Sequence, residues 1–310
     1  MWLILTLTYY GCQTNSTFYD LPINVCDQVF ELPENSPEGT VIGQIEVSDT
    51  ISRDLSYYLV AGDYSNFFEL GVKTGILKLR TSSAVDYEQQ YQIDLEVMVT
   101  SSERKDVGNF ANITIRVTDV KEPVSWLSDS TSGINQDAIV NSLQPDTNYG
   151  QSEYNIIDSW TNNLNPFTTR AFIQFDVSTI PVDAQVTEAT LLLYNPHDTV
   201  SYHKHSSFSG ANSFYIRKVS SKWDSQEITW NNQPVYETDE QISVPASKSN
   251  DQDYVIDVTK IVQEMVLHPE ANYGFLLMLV DEEYYRRLCF TSLEYQDSSL
   301  RPQLQINYLY

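Results

Sequence analysis

The stretch that decides the fold is residues 91–99, YQIDLEVMV, in which apolar residues occupy every second position. A period of two is typical of a β-strand that buries one face in a hydrophobic core. Residues 111–117, ANITIRV, alternate in the same way. Shorter strands are predicted at Val41–Val47, Ser56–Val60 and Ile76–Leu79. Strands at this spacing predict a Greek-key β-sandwich over residues 22–123.

Residues 124–310 are also predicted to form β-strands. They comprise Ala171–Asp176, Ala189–Tyr194, Asn212–Val219, Tyr254–Val258, Tyr273–Val280, Leu288–Ser292 and Gln303–Tyr308. A short helix is predicted over Val258–Leu267, because its apolar residues share one side and Pro269 ends it. We therefore expect an all-β chain with a leader at residues 1–21 and two domains, 22–123 and 124–310.

The charge balance restricts the partners. The 310 residues carry 42 acidic and 18 basic side chains, for a formal net charge of −24. Such a chain repels the phosphates of nucleic acids and anionic lipid headgroups, whereas it attracts divalent cations. The three cysteines are too few for a disulfide framework. Cys26 and Cys289 could pair, but they lie in different predicted domains, so they are interpreted as small buried residues or free thiols.

The N-terminus is a short apolar run, Met1–Gly11, followed by Cys12. It resembles a bacterial lipoprotein signal, which implies that Cys12 is acylated and anchors the chain at the outer membrane, with Gln13–Asp20 as a polar tether. The run is too short to span a bilayer as a helix. An ordinary cleaved signal peptide is the alternative, and both interpretations predict export to the cell surface or beyond.

Three acidic motifs follow one another in the first predicted domain: Pro33–Thr40, Asp86–Glu88 and Val117–Pro123. In order and flanking residues they resemble the landmarks of a cadherin repeat. Calcium takes six to eight oxygen ligands, so carboxylates distant in sequence must converge on it. The calcium ligands that the resemblance implies are Glu34, Asp86, Glu88 and Glu122, with Asp119 beside them.

The match to the cadherin pattern is incomplete at its end. The last motif is shortened to Asp-Val-Lys-Glu-Pro, and Lys121 stands where the family has a neutral ligand. We therefore expect one or two calcium ions. The alternative is an acidic domain end that hydrogen bonds stiffen without metal.

The second predicted domain carries several characteristic phrases, including Asp137–Val140, Pro145–Gly150, Phe172–Pro181, Ala189–Tyr194, Ile228–Pro234, Tyr273–Leu277 and Arg301–Leu304. Together they resemble the DNRLRE-type domain, a jelly-roll β-sandwich of which some members are classed as carbohydrate-binding modules. The resemblance implies a jelly roll over residues 124–310 and a polysaccharide or other extracellular partner.

Sugar binding needs exposed aromatic faces with polar groups around them. The candidates lie outside the motifs and are Trp160, Tyr202, Tyr284, Tyr285 and Arg286. Arg286 and Arg287 either pair with an anionic sugar or with the acidic residues 281–283 beside them. The motif aromatics Trp223 and Trp230 are predicted to belong to the core.

The sequence gives less support for any other metal site. His197, His203 and His205 fall close together, but no cysteine or further histidine completes a zinc or copper site. A second calcium is conceivable around Asp137, Asp146 or Asp297.

The motifs of nucleophilic, zinc-dependent, phosphate-binding and dinucleotide-binding enzymes are missing from the sequence. The sequence therefore predicts a non-catalytic cell-surface lipoprotein that binds glycans through the jelly roll, with a calcium-stiffened cadherin-like spacer. The alternative is a structural or adhesive subunit of an outer-membrane assembly with protein partners only. A third is a eukaryotic cell-adhesion protein, for which Asn112–Thr114 permits glycosylation.

Overall fold

The computed structural model describes residues 23–48, 54–62, 65–81, 85–102, 108–128 and 135–310. Within these ranges the chain is built of β-strands with a short α-helix, which confirms the all-β fold class. The chain divides into two compact units between Val120 and Lys121. The predicted leader, including Cys12, lies outside the described residues.

The first unit contains seven strands in its described part. They are β1 (Gln28–Pro33), β2 (Val41–Gln44), β3 (Leu55–Gly62), β4 (Phe68–Leu70), β5 (Ile76–Leu79), β6 (Gln92–Ser101) and β7 (Gly108–Thr118), with a 3₁₀ helix at Ser65–Phe67. One sheet has the order β1-β7-β6-β3 and the other the order β2-β5-β4. β1 runs parallel to β7, and the remaining pairs are antiparallel.

The core of the first unit follows from the alternation that the sequence shows. The inward residues of β6 and β7, from Ile93 to Val99 and from Ala111 to Val117, are at most 3% exposed. Phe30 on β1 is buried against the backbone of β2, where a Cβ on Gly43 would lie 2.2 Å from its ring. Gly43 is therefore required by close packing.

The second unit contains twelve strands and an α-helix in its described part. They are β8 (Pro123–Leu127), β9 (Gln136–Asn141), β10 (Tyr154–Asn162), β11 (Asn165–Gln174), β12 (Gln185–Leu193), β13 (Ser206–Ser207), β14 (Phe214–Lys218), β15 (Ile242–Val244), β16 (Tyr254–Asp257), α1 (Thr259–Leu267), β17 (Phe275–Leu279), β18 (Arg286–Thr291) and β19 (Gln303–Leu309). Three 3₁₀ helices lie at Ser201–His203, Pro269–Ala271 and Ser298–Leu300.

Two antiparallel sheets form the second unit. The larger has the order β13-β18-β10-β11-β17-β14-β15, with β9 paired to β11, and the smaller has the order β16-β12-β19-β8. The larger sheet is covered on both faces, because a second cluster around Phe172, Trp223 and Leu276 packs on the side away from the main core. All five residues of β17 are consequently buried.

The helix α1 closes one side of the main core. Its buried residues are Ile261, Val262, Met265 and Val266, and Pro269 follows its last turn. The side chain of Gln263 accepts a hydrogen bond from the Val186 N–H at 2.8 Å, which ties the helix to β12. In the described part of the chain, no helix is long and apolar enough to cross a membrane.

The cysteines differ from the prediction in one respect. Cys289 on β18 is a free, buried thiol, as expected. Cys26 is disulfide-bonded, so its interpretation as a free or merely buried residue was wrong.

Candidate functional site

Three carboxylates of the first unit meet at one point, and Glu34, Asp86 and Glu88 are named the acidic cluster here. Each offers one oxygen, and these oxygens all lie within 4.8 Å of one another. Glu34 follows the end of β1, whereas Asp86 and Glu88 lie in the connection between β5 and β6. The fold thus brings together three of the five predicted calcium ligands.

Glu34 is the buried member of the acidic cluster, with 5% of its surface exposed. Its Oε2 accepts a hydrogen bond from the Tyr87 N–H at 2.9 Å, and its Oε1 accepts one from the Val120 N–H at 2.8 Å. These two backbone donors, first Tyr87 and then Val120, lower the pKa of Glu34, and a side-chain hydrogen bond with Asp119 acts in the same direction. Glu34 is therefore an ionised anchor between three segments of the unit.

Asp86 is held in a tight turn. Its Oδ1 accepts from the Gln89 N–H at 3.2 Å and its Oδ2 from the Gln89 side chain at 2.6 Å, while its carbonyl accepts from the Gln90 N–H at 2.8 Å. An aspartate that hydrogen-bonds the backbone a few residues on is typical of such turns. The turn directs Asp86 and Glu88 to the same point as Glu34.

Glu88 is exposed, and its pKa is raised. A hydrogen bond from its own backbone N–H lowers the pKa, but desolvation, the charge of Glu34 and the interaction with Asp86 together outweigh it. Within the described ranges, none of the ion pairs involves a member of the acidic cluster. Carboxylates that have no basic partner are the donor set that calcium requires, so these residues fit that ion.

The last two predicted ligands have different positions. Asp119 lies close enough to Glu34 to help lower its pKa, but it is not a member of the acidic cluster. Glu122 belongs to the second unit, where its N–H donates to the Tyr310 carbonyl at 2.9 Å and its carbonyl accepts from the Tyr310 N–H at 3.1 Å. A role for Glu122 as a calcium ligand stays a prediction.

In the second unit, three adjacent strands present aromatic residues at the same end of the larger sheet. β13 and β10 flank β18, and Arg286 on β18 pairs with Ser207 on one side and with Ser159 on the other. Both pairs are antiparallel, so the ends of β13 and β10 lie beside the start of β18. The residues next to this row are Phe208, Trp160, Tyr285 and Tyr284, which are named the aromatic cluster.

Tyr285 is the centre of the aromatic cluster. Its ring centroid lies 5.2 Å from that of Trp160, 6.1 Å from that of Phe208 and 6.5 Å from that of Tyr284. The edge-to-face arrangement of the first two pairs is a favourable aromatic geometry. Phe208 is 84% exposed and Tyr284 is 45% exposed, so the cluster offers ring surface to solvent.

The backbone of Tyr285 is in the left-handed region, with φ of 65°. Residues other than glycine and asparagine rarely adopt this conformation. It is held there by a hydrogen bond from its N–H to the Ser159 carbonyl at 2.8 Å and by a contact of its hydroxyl with Thr161 at 3.4 Å. Strained residues of this kind concentrate at functional sites.

The arginines beside the aromatic cluster are paired with carboxylates. Arg287 donates to Asp158 at 2.9 Å and lies over the Trp160 ring at 4.6 Å, while Arg286 forms an ion pair with Asp281. The alternative in which the arginines pair with acidic residues is thus the one present, although Arg287 pairs with Asp158 and not with residues 281–283.

Tyr202 lies next to the aromatic cluster. Its carbonyl accepts a hydrogen bond from Arg287 at 3.3 Å, and its ring packs edge-on against His203 at 4.3 Å. More than half of its surface is exposed. The sequence missed Phe208, because nothing in the surrounding Ser-rich stretch shows that it lies beside Tyr285 in the fold.

The remaining candidates have structural contacts. Trp223 is buried, as predicted, and donates from its indole N–H to the Tyr273 carbonyl at 2.8 Å. His203 and His205 are both buried, and each is held by a hydrogen bond, to Asp198 at 2.5 Å and to the Gln252 carbonyl at 2.8 Å. Among the described residues, the grouping that can hold a metal contains no histidine.

The possible second calcium site also lacks support. Asp137 is buried and accepts hydrogen bonds from Asn155 at 2.7 Å and from the Leu293 N–H at 2.8 Å. Asp146 accepts a hydrogen bond from the distant side chain of Asn231, and Asp297 accepts one from the nearby Ser299 N–H. In the part of the chain that the structure describes, these three residues do not form a group that can hold a metal.

Comparison with curated proteins gives cadherins. The chain is 32% identical over 133 residues to human Protocadherin Fat 1, covering 38% of this chain and 3% of that protein. It is 35% identical over 104 residues to the Drosophila melanogaster Protocadherin-like wing polarity protein stan, covering 32% of this chain and again 3% of that protein. The chain thus spans only a few per cent of the length of the curated relatives it matches.

Parts of two solved structures are similar to part of this chain. The solution structure of the third cadherin domain from human protocadherin 7 is 21% identical, with a TM-score of 0.29, 35% of this chain and 95% of that chain covered. A crystal structure of Drosophila N-cadherin EC1-3 is 25% identical, with a TM-score of 0.29, 33% of this chain and 35% of that chain covered.

Comparison with family models covers both units. The Cadherin domain matches residues 28–118, and Carbohydrate-binding module family 96 matches residues 128–308. The resemblances of the two domains are thereby confirmed, whereas the resemblance of the N-terminus to a lipoprotein signal stays a prediction. Since the second match spans more than half of the 310 residues, the chain belongs to carbohydrate-binding module family 96, with a cadherin domain preceding the module.

Proposed function

We propose that this protein is a non-catalytic cell-surface protein that binds glycans at the aromatic cluster of its second domain. A cadherin domain combined with a carbohydrate-binding module fits a carbohydrate-binding role at the cell surface, and both families are typically non-catalytic. The observation that carries the proposal is the placement of four aromatic rings at the ends of three adjacent strands of that module.

The physical basis is burial of apolar surface. The carbon–hydrogen face of a pyranose ring and the face of an aromatic ring both lose contact with water when they stack, at about 25 cal/mol for each Å² buried. Phe208 and Tyr284 are exposed enough to be covered in this way. Tyr285 is half-buried and its ring packs against both Phe208 and Tyr284. Trp160 is also half-buried and packs against Tyr285.

Affinity electrophoresis of the full chain in gels that contain polysaccharides tests the proposal. Phe208→Ala removes a side chain that is 84% exposed, so it leaves the fold intact. Phe110→Ala is the matched control, because Phe110 is 53% exposed on β7 of the first domain. We expect Phe208→Ala to lose retardation and Phe110→Ala to keep it. Failure of the unaltered protein to bind any polysaccharide would contradict the proposal.

The cadherin domain acts as a spacer that calcium stiffens. Cadherin domains generally bind calcium, and the acidic cluster has the oxygens for it. Glu34 already links three segments through its hydrogen bonds to Tyr87 and Val120. An ion shared with Asp86 and Glu88 would hold two of these segments together more tightly. Sites of extracellular modules bind at roughly 10⁻⁴ to 10⁻³ M. Lys121 and the shortened last motif make one or two ions the expected number.

Isothermal titration of calcium into the chelator-treated protein tests the spacer. Glu88→Gln is the sharpest variant, because Glu88 is exposed and its loss leaves the anchoring hydrogen bonds of Glu34 in place. Glu69→Gln on β4 is the control, since that residue is exposed and outside the acidic cluster. If the heat of calcium binding were the same for Glu88→Gln as for the unaltered protein, this part of the proposal would be contradicted.

A second candidate function is adhesion through protein partners alone. One row of side chains on the outer face of the first domain supports it, because Met98 pairs with Tyr58 on one side and with Phe110 on the other. Tyr58 is 37% and Phe110 is 53% exposed, so apolar surface crosses three strands. This candidate predicts that Phe110→Ala weakens association with envelope proteins, whereas Phe208→Ala does not.

The last element of the proposed function is attachment to the outer membrane through a lipid on Cys12. A lipid thioether on Cys12 would leave no thiol of this chain for the disulfide of Cys26, because Cys289 is free and buried. Mass spectrometry of the N-terminal peptide therefore separates the two arrangements. A diacylglycerol adduct on Cys12 supports the anchor, whereas a disulfide-linked peptide supports the alternative of an ordinary cleaved signal.

A further inference from the structure

We infer that a groove on the first domain binds a basic segment of a protein partner. The groove lies on the outer face of the sheet β1-β7-β6-β3, at the opposite end of β6 and β7 from the row that contains Met98. It has a volume of about 420 Å³. Its lining includes Glu31, Tyr87, Tyr91, Gln92, Arg116 and Asp119. The inference concerns the first domain alone and does not depend on glycan binding by the second.

Two tyrosines give the groove its aromatic surface. Tyr87 is 40% exposed and Tyr91 is 70% exposed. A guanidinium or ammonium group is attracted to the face of such a ring when it lies within about 6 Å of the ring centroid. Within the described ranges, no arginine of the chain itself lies over either of these rings. Both rings are therefore open to a cation that a partner brings.

Hydrogen bonds hold the backbone that carries the two rings. The Tyr87 N–H donates to Glu34 Oε2 at 2.9 Å, and the Tyr91 carbonyl accepts from the Val117 N–H at 3.0 Å. The tight turn that begins at Asp86 connects the two tyrosines. Their backbone positions are thus set before a partner arrives, which reduces the ordering cost of association.

The charges in the groove favour a basic partner. Glu31 and Asp119 are exposed carboxylates, whereas Arg116 is the one basic residue among the described residues that line the groove. In the part of the chain that the structure describes, none of these three side chains belongs to an ion pair. The acidic cluster adds negative charge nearby, because Glu34 is hydrogen-bonded to Tyr87. Lysine or arginine side chains are consequently attracted, and other anions are repelled.

The charge of the whole chain argues against a second copy as the occupant. With a formal net charge of −24, two copies repel each other at long range. A partner segment rich in arginine or lysine is attracted over the same range. It can then place its cations between the carboxylates and against the two rings, so steering and contact favour the same class of partner.

Fluorescence anisotropy with two labelled peptides tests the inference on the full chain at a fixed calcium concentration. One peptide alternates arginine with serine, and the other carries citrulline in place of arginine, which keeps the shape but removes the charge. We expect the arginine peptide to bind and the citrulline peptide not to bind. Binding of neither peptide, or equal binding of both, would overturn the inference. Tighter binding of chitosan, a cationic polysaccharide, would also overturn it, because the groove would then serve a glycan.

A ring variant separates the groove from the rest of the domain. Tyr91→Ala removes a side chain that is 70% exposed, so it leaves the fold intact. We expect it to weaken binding of the arginine peptide roughly threefold, because one cation–aromatic contact is lost. Tyr58→Ala is the control, since Tyr58 is 37% exposed on β3 and does not line the groove. We expect the control to bind the peptide as the unaltered protein does.

A pair of charge variants excludes diffuse attraction to an acidic chain. Glu31→Gln and Glu69→Gln each remove one exposed carboxylate from the first domain, but only Glu31 lines the groove. We expect Glu31→Gln to weaken binding of the arginine peptide several-fold at low salt and Glu69→Gln to leave it unchanged. If the two carboxylate variants had equal effects and Tyr91→Ala had none, the peptide would be responding to the overall charge, and the inference would be overturned.

Discussion

The acidic cluster of the first domain and the aromatic cluster of the second differ in whether their charged side chains have partners of opposite charge. In the acidic cluster three carboxylates lie within 4.8 Å of one another, and none of them has a basic partner among the described residues. In the aromatic cluster the neighbouring arginines are all paired, and the exposed surface is made of rings. The first arrangement attracts a cation, and the second presents an uncharged face to a ligand.

The two domains also differ in the pKa of their buried carboxyl groups, which is lowered for Glu34 and raised for Asp137. Two backbone N–H groups hold Glu34 ionised, with a lowered pKa, although 95% of its surface is covered. Burial raises the pKa of Asp137 well above its ordinary value, and Glu294 adds to the shift. Burial alone therefore does not decide the state of a carboxyl group, because the donors around it decide whether the charge is kept.

The largest effect is expected for Glu34→Ala. It leaves the Tyr87 and Val120 N–H groups without their charged acceptor, and one such hydrogen bond contributes about 1.5–3 kcal/mol. We expect the free energy of unfolding of the first domain to fall by about 3 kcal/mol in calcium-free buffer, measured by urea denaturation. Glu88→Gln is expected to change it little, and equal effects of the two variants would contradict the anchoring role of Glu34.

A smaller effect is expected for Tyr285→Ala. Tyr285 contacts the other three rings of the aromatic cluster, so its loss removes their support as well as its own surface. We expect the affinity for the polysaccharide that the protein binds to fall roughly tenfold, or about 1.4 kcal/mol, by isothermal titration. Tyr310→Ala, which removes an exposed tyrosine outside the cluster, serves as the control and keeps the affinity.

Asp137→Asn is expected to stabilise the second domain. The folded pKa of Asp137 is raised, so ionisation is unfavourable in the folded state, and stability is lost as the pH rises through that value. We expect the variant to gain about 1 kcal/mol at pH 8 and less at pH 4, measured by thermal unfolding. Its amide oxygen can still accept from Asn155 and Leu293. A loss of stability at pH 8 would show that the ionised form is favoured.

The smallest effect is the pH dependence of the first domain. The folded pKa of Glu34 is lowered by the Tyr87 and Val120 N–H groups, so its contribution is complete above 4.5 and is lost as the pH falls through the folded value. Thermal unfolding without calcium should therefore show a slope below pH 4.5 that Glu34→Gln removes. The raised pKa of Glu88 predicts that calcium affinity begins to fall already above pH 4.5.

The sequence predicted strands that show either a strong alternation, such as β6, or a continuous apolar run, such as β17. β5 was predicted with its correct bounds, and β6, β7 and α1 to within a few residues, because their periodicity is strong. β13 and β15 were missed because two or three residues are too short to show a period. β10 was missed because the residues it buries include Asn155, Asp158 and Ser159, so it shows neither a regular alternation nor an apolar run.

The two candidate sites differed in how far the sequence could describe them. The acidic cluster comes from motifs whose order is visible along the chain, so its three members were named in advance. The aromatic cluster depends on the register of β13, β18 and β10, which places Phe208 beside Tyr285. Register is set by long-range pairing, so individual tyrosines could be named from the sequence but their common surface could not.

The central claim is that the first domain binds calcium and the second binds glycan. The most direct test measures calcium binding and glycan binding on the same full chain. Calcium is added to the chelator-treated chain, and hydrogen exchange in residues 85–90 is followed together with affinity for the polysaccharide that the protein binds. We expect calcium to slow exchange while the affinity stays the same, and Phe208→Ala to lose affinity while the calcium response stays the same. Glycan binding that requires calcium, or that survives Phe208→Ala, would contradict the assignment of cation binding to one domain and sugar binding to the other.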